Sequence, residues 1–511
     1  MMSVTDKKMN RALDPSGLEK ILHRKRVLVY AIVLLLFVVG LWMRLHTLAL
    51  PFDRDSYDEG VYWQSLRSMS TGAPLYQQIF YSQPPFFLLS LFPTYLLGGQ
   101  SIWSARLGIV VISLAGLLGA FLLGKALRGY VGAVAALLLL ISTAPYLAES
   151  QIVQADGPCA ALSLLAVGLA YLWWNHPEGR RGTWLAALTA LTLVAAILTK
   201  LFAVAALIPI GLLILAHLWR VLQQPAETRL LALRSLLVGI VAGVIALLLL
   251  VLPFLPSFAQ MWREVITFHT VAGAIYHPLR AENKNLLLSS LNTPLTYIAL
   301  FAACLALLQR DWRVLPLLAW LLTTIVLLWQ QTPLFVHHMV MLIPPLIALT
   351  ITGLASQRAP RNRTFAAAMT IATLLLILTV TALDLQEVRS HYTGVQAQGQ
   401  GAGTQANLQV ANDLRAVTQP GELVISDAQF IVALAGRNTP AELVDTSNVR
   451  LSTGYVTDAQ MIQAAARPQV HAVLFYTGRL APRTEFQHWV SQHFTLVHDY
   501  GAGKGLWVKI K

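Results

Sequence analysis

Four carboxylates crowd the stretch Asp53-Arg54-Asp55-Ser56-Tyr57-Asp58-Glu59-Gly60-Val61-Tyr62. Asp55, Asp58 and Glu59 stand three and four residues apart, so a helix beginning here puts them on one face. A carboxylate held in such a place can take a proton from a hydroxyl, the work of a general base. The plainer reading is a capping box, Ser56-x-x-Glu59, with acids favoured at a helix N-terminus by its dipole. The other polar residues near apolar segments are few: Tyr81-Ser82-Gln83-Pro84-Pro85, Arg106, Glu149 to Asp156, Lys200, His269 to Lys284, and His337-His338. Acids for a reacting hydroxyl and cations for a phosphate together suit an anionic, lipid-linked substrate. Each member also has an ordinary role. Asp156 precedes Gly157-Pro158 and can cap a helix. Arg106 can snorkel to headgroups, His337 and His338 can sit at an interface, and His269, His277, Arg280 and Lys284 can contact anionic lipid.

The elements that would hold these residues are membrane helices. Of 511 residues, 56% are hydrophobic and 12% charged, about half the charge of an ordinary soluble domain. Mean hydropathy is +0.60. The formal charge of +13 does not point to nucleic acid, because Lys and Arg gather in short loops between apolar runs, as the positive-inside rule requires. Cys159 and Cys304 lie in apolar segments, match no metal spacing and read as packing residues. The N-terminal apolar run is too long for a cleavable signal and no small-residue cleavage site follows it.

Residues 1–26 form a basic tail, predicted cytoplasmic. A membrane domain follows over 27–384. At about 20 residues per crossing, the apolar runs predict eleven spans: 27–49, 102–124, 130–147, 157–174, 183–199, 202–219, 235–255, 294–308, 314–329, 335–355 and 364–383. Charge alternation makes 51–100 one extracytoplasmic loop with two interfacial helices, starting near Asp58 and Pro85. It makes 256–293 a second such loop, with an amphipathic helix from Met261 to Thr270. Lys200 then stands at the outer end of its helix with no counter-charge near in sequence. Residues 385–405 read as a linker, flexible over the Gly/Gln-rich 396–405. Residues 406–511 read as a small extracytoplasmic α/β domain, with strands at 423–425, 470–476 and 506–510 and a helix at 486–494. It shows no phosphate loop, metal spacing or catalytic triad.

One order of motifs runs through the first 200 residues: Asp58-Glu59, Gly72-Ala73-Pro74-Leu75-Tyr76, Pro84-Pro85, Ser104-Ala105-Arg106-Leu107, Gln154-Ala155-Asp156 and Leu198-Thr199-Lys200. It resembles the C-type membrane glycosyltransferases, above all the branch of protein O-mannosyltransferases and the bacterial lipid A aminoarabinose transferase. The resemblance implies a multi-pass protein of the bacterial plasma membrane, with its N-terminus inside and its C-terminal domain outside. It implies transfer of a hexosyl or pentosyl group from a polyprenyl-phosphate donor to an extracytoplasmic acceptor, with inversion, among membrane lipids and without nucleic acid.

By the same resemblance Asp58 is the general base, and Glu59 orients Asp58 or the acceptor. Asp55, Arg106, Lys200, Arg280, Lys284 and His338 are the expected substrate contacts. Asp156 and His269 are the expected ligands of a divalent metal ion, where one is used. Relatives often carry Glu-Lys before Pro-Pro; here the pair is Ser82-Gln83, so Arg280, Lys284 or Lys200 must replace that phosphate contact. A transporter or lipid flippase is the alternative for such a chain. No internal repeat is visible, however, and the charges gather at one face instead of mid-span.

Overall fold

Inside a bilayer no water satisfies the backbone, so apolar runs close their hydrogen bonds within their own segment as helices. The computed structural model describes residues 15–46, 48, 57–354 and 363–510. Each of the eleven expected stretches is helical over most of its described residues. Among the described residues, seven helices are long and apolar enough to cross a membrane. An eighth counts if the bent pair His277–Leu291 and Pro294–Leu308 is one span.

The difference from eleven has physical causes. Ile102–Ser142 is one 41-residue element broken at Arg128 and Gly129, the latter at φ 66°. A Cβ on Gly124 would lie 2.2 Å from the Gly132 carbonyl oxygen. The limbs on either side therefore fold back on each other, as the two expected spans would. Arg128 braces this corner: it pairs with Asp311 at 2.8 Å and donates to the carbonyls of Thr352 and Leu354. Those carbonyls belong to a helix end that has no partners of its own. Val314–Gln330 and Val336–Thr352 are apolar but short.

Two regions expected as loop and linker are helix over most of their length, the first well beyond the helix expected at 261–270. The 256–293 stretch continues the helix Ala226–Ile275, because Pro253 and Pro256 fall in a 3-10 turn, Leu252–Ser257, that passes the chain on. Arg263–Thr267 within it is a π turn. The 385–405 segment is likewise helical: Arg363–Gln400 is one helix and Ala402–Val417 follows after Gly401. Tertiary packing outweighs the glycines here. Val388 and Val395 are buried, the Tyr392 hydroxyl donates to the Met43 carbonyl, and His391 Nε2 lies 3.1 Å from Gln151 Oε1.

The C-terminal domain carries β1 (Leu423–Ser426), β2 (Val470–Phe475), β3 (Phe494–Gly501) and β4 (Lys504–Lys509). The sheet order is β1-β2-β4-β3, with β1 parallel to β2 and the other pairs antiparallel. Strand β3 was not expected, since it is an exposed edge without a buried alternating face. This domain is docked on the helix Tyr57–Ser70. Gln64 Nε2 donates to the Arg437 carbonyl, Arg67 Nε to Asn438 Oδ1, and the Thr446 amide to the Tyr57 hydroxyl. At Gly60 the two units come so close that a Cβ would lie 2.4 Å from the Phe430 nitrogen.

Candidate active site

The helix Tyr57–Ser70 begins with Asp58 and Glu59, and the two adjacent acids have opposite fates. The Glu59 side chain is 1% exposed and the Asp58 side chain 42%. Arg106 Nε and Nη2 donate to Glu59 Oε1 and Oε2 at 2.9 and 2.6 Å, and the Val153 amide donates to Oε1 at 2.9 Å. A buried cation is costly unless paired in this way, so Arg106 binds Glu59 and does not snorkel. This bidentate anchor fixes the rotation of the helix and leaves Asp58 facing a cavity. Neither Glu59 nor Arg106 lines that cavity; Arg106, expected at the substrate, is instead bonded to Glu59, and Glu59 acts on the orientation of Asp58 through the helix.

The cavity, about 230 Å³, lies between the membrane helices and the C-terminal domain. Asp58, Tyr62, Ser82, Gln83, Lys200, His269, His337 and His338 line one part of it, and Asp445, Ser447 and Val449 the other. A short relay of charges crosses it. His337 Nε2 stands 3.9 Å from Asp58 Oδ2 and 3.9 Å from Asp156 Oδ2, and Lys200 Nζ is 2.7 Å from that same Asp156 oxygen. Gln154 Nε2 donates to Asp58 Oδ2 at 3.4 Å. The isolated Lys200 of the sequence thus has a counter-charge 44 residues earlier. Asp156 is in the first turn of the helix Asp156–Asn175, while Lys200 closes the helix Gly179–Thr199. Each charge complements the dipole at its own helix end. Asp156 makes no side-chain capping bond, and Ala155 is the cap.

The loop over the cavity is pinned from the helical 256–293 region. Glu264, buried on the π turn, accepts the Tyr81 amide at 2.8 Å, and His269 Nε2 lies 2.8 Å from the Ser82 carbonyl. His269 therefore lines the cavity with its Nε2 at backbone, and the cluster of possible metal ligands around Asp156 does not include it. Arg280 and Lys284, expected at the substrate, do not line this cavity. They sit on the largely exposed helix Arg280–Leu291, where Arg280 donates to Gln330. Asp55 lies outside the described residues. Sequence reasoning treated His337 as interfacial and missed Glu264 and Asp445. No motif marks those two; only the fold brings them here.

Asp156, His337 and His338 offer ligand atoms within 4.8 Å of one another. Two imidazoles and a carboxylate suit a divalent transition ion in type. Asp156 Oδ1 is buried with no hydrogen-bond partner, which leaves it open as a ligand. Two features compete with a metal. Lys200 already places a positive charge on Asp156. The Phe335 amide donates to His338 Nδ1 at 3.3 Å, so the ring proton belongs on Nε2 and a metal there costs that hydrogen bond.

Comparisons with known proteins bear on the fold. Residues 27–271 match the family model described as dolichyl-phosphate-mannose-protein mannosyltransferase. Among solved structures the chain is similar to ArnT from Cupriavidus metallidurans in the apo state, with a TM-score of 0.54 and 14% identity, over 96% of this chain and 98% of that one. It is also similar to the archaeal oligosaccharyltransferase AglB from Archaeoglobus fulgidus, solved with an inhibitory peptide and a dolichol-phosphate. There the TM-score is 0.51 and the identity 14%, over 95% of this chain and 75% of that one. No curated protein matches the sequence. At this identity the structural likeness speaks for the fold, and the family model for the first half of the chain.

Proposed function

We propose that this chain, whose residues 27–271 match the protein-mannosyltransferase family model and whose fold is similar to that of ArnT, transfers a glycosyl group from a polyprenyl-phosphate donor to an extracytoplasmic hydroxyl, with inversion. The observation that carries this reading is a half-exposed carboxylate, Asp58, facing a lysine across one cavity. The family description names a dolichyl-phosphate sugar, and the AglB relative was solved with dolichol-phosphate. Both support the donor class.

In the reaction the acceptor oxygen attacks the anomeric carbon as the bond from that carbon to the phosphate oxygen breaks on the opposite face. The acceptor proton passes to Asp58 Oδ. The electron pair stays on the departing polyprenyl phosphate, and Lys200 stabilises the negative charge that gathers there. Gln154, bonded to Asp58, holds the carboxylate in line. Asp156 keeps Lys200 in place, and Glu59 with Arg106 keeps Asp58 turned toward the cavity. A divalent ion on Asp156, His337 and His338 would supply further positive charge beside the leaving phosphate.

The test is a donor screen with purified protein and radiolabelled decaprenyl- and undecaprenyl-phosphate sugars. Label must leave the lipid in wild type and stay on it in Asp58→Asn. Wild-type protein that consumes no such donor, although folded, removes the transferase reading.

A further inference from the structure

The cavity has a wall that membrane helices do not supply, and the segment forming it is unusually well fixed. Asp445, 8% exposed, and Ser447 line the cavity from the C-terminal domain. The Ser447 amide donates to Asp445 Oδ1 at 2.8 Å, and Arg450 Nη1 donates to the Asp445 carbonyl at 2.6 Å. The Arg450 guanidinium in turn lies 3.8 Å from the centre of the Phe80 ring, in the loop that covers the site. Thr446, between the two lining residues, is clasped by the Tyr57 hydroxyl, one residue before Asp58. A carboxyl so placed is not a solvated surface acid. It is held against the cavity by contacts to both parts of the chain that bear on Asp58.

We propose that Asp445, with Ser447, is a glycosyl-hydroxyl subsite through which the C-terminal domain takes part in substrate recognition. The inference rests on the transferase reading and extends it to a part of the chain outside residues 27–271. Lys200, paired with Asp156, lines the same cavity as Asp58 and Asp445, so a phosphate and a polyhydroxyl ring each find a group suited to them there. Carboxylates recognise vicinal hydroxyls by accepting their protons in hydrogen bonds, and a buried one discriminates most because an unfilled bond is costly there. Burial pushes the Asp445 carboxyl above its ordinary range, with Arg450 and the Ser447 amide opposing the shift. Protonated or ionised, the group retains an acceptor for a hydroxyl. The hydroxyls belong either to the donor glycosyl group or to a sugar acceptor, and the test separates the two.

Binding is measured for polyprenyl phosphate and for polyprenyl-phosphate mannose, in wild type, Asp445→Asn and Ser447→Ala. Turnover is measured with a panel of methyl glycosides as acceptors. A donor subsite predicts that Asp445→Asn keeps wild-type affinity for polyprenyl phosphate but loses affinity for its mannosyl form by about 10- to 100-fold. An acceptor subsite predicts unchanged binding of both lipids and a KM for methyl glycosides raised by a similar factor, with kcat retained. The unglycosylated lipid serves as the control for folding. Wild-type binding of the donor with all these quantities unchanged in both variants overturns the subsite alone. Failure of wild type to bind polyprenyl phosphate overturns the donor reading as well.

Discussion

Adjacent acids with opposite burial should fail in opposite ways when each is replaced by its amide. Asp58→Asn removes a proton acceptor from a side chain that is 42% exposed and keeps its shape. Loss of general-base assistance is worth about 10²–10⁴-fold, or about 3–5 kcal/mol of barrier, with stability near wild type. Glu59→Gln acts on a residue 1% exposed and strips the charge from a bidentate pair with a buried Arg106. Breaking a buried pair from one side costs about 3–5 kcal/mol, because the remaining charge has no water to return to. The same energy therefore falls on the rate in one variant and on the fold in the other. In a Cys304→Ser background a thiol-reactive dye reads unfolding through buried Cys159, and release of labelled sugar from the donor reads rate. A Glu59→Gln protein that melts like wild type would refute the anchoring role. An Asp58→Asn protein with full turnover would refute the base.

Lys200→Met should weaken polyprenyl-phosphate binding by about 10- to 100-fold and also destabilise the protein, since buried Asp156 loses its lysine. The double variant Asp156→Asn/Lys200→Met should regain stability without regaining affinity, checked by melting and by lipid binding. Gly60→Ala should cost about 1–3 kcal/mol, because the new methyl meets the Phe430 backbone at 2.4 Å. Limited proteolysis should then cut faster between the membrane helices and the C-terminal domain. Zinc or manganese should raise the melting temperature of wild type but not of His337→Ala, read without any substrate.

The sequence showed what was local and hid what was paired across the chain. Apolar period and length placed the helices, because each span must satisfy its own backbone. Asp58 was legible because it opens a helix just after a span. Lys200 was legible as an oddity, but not its partner: Asp156 lies 44 residues away, and only the packing of two helix ends joins them. The burial of Glu59 was hidden for a related reason. Spacing assigns residues to a helix face, yet which face looks into the cavity depends on Arg106 and the Val153 amide, 47 and 94 residues on. The glycine- and glutamine-rich stretch looked like a tether, yet it is helix because Val388, Val395 and Tyr392 find burial or partners in the membrane domain. That rigidity has a functional consequence. A flexible tether would let the C-terminal domain drift, whereas two successive helices and the Gly60 contact set it against Asp58. The domain without a motif of its own thus becomes the part best placed to tell one substrate from another.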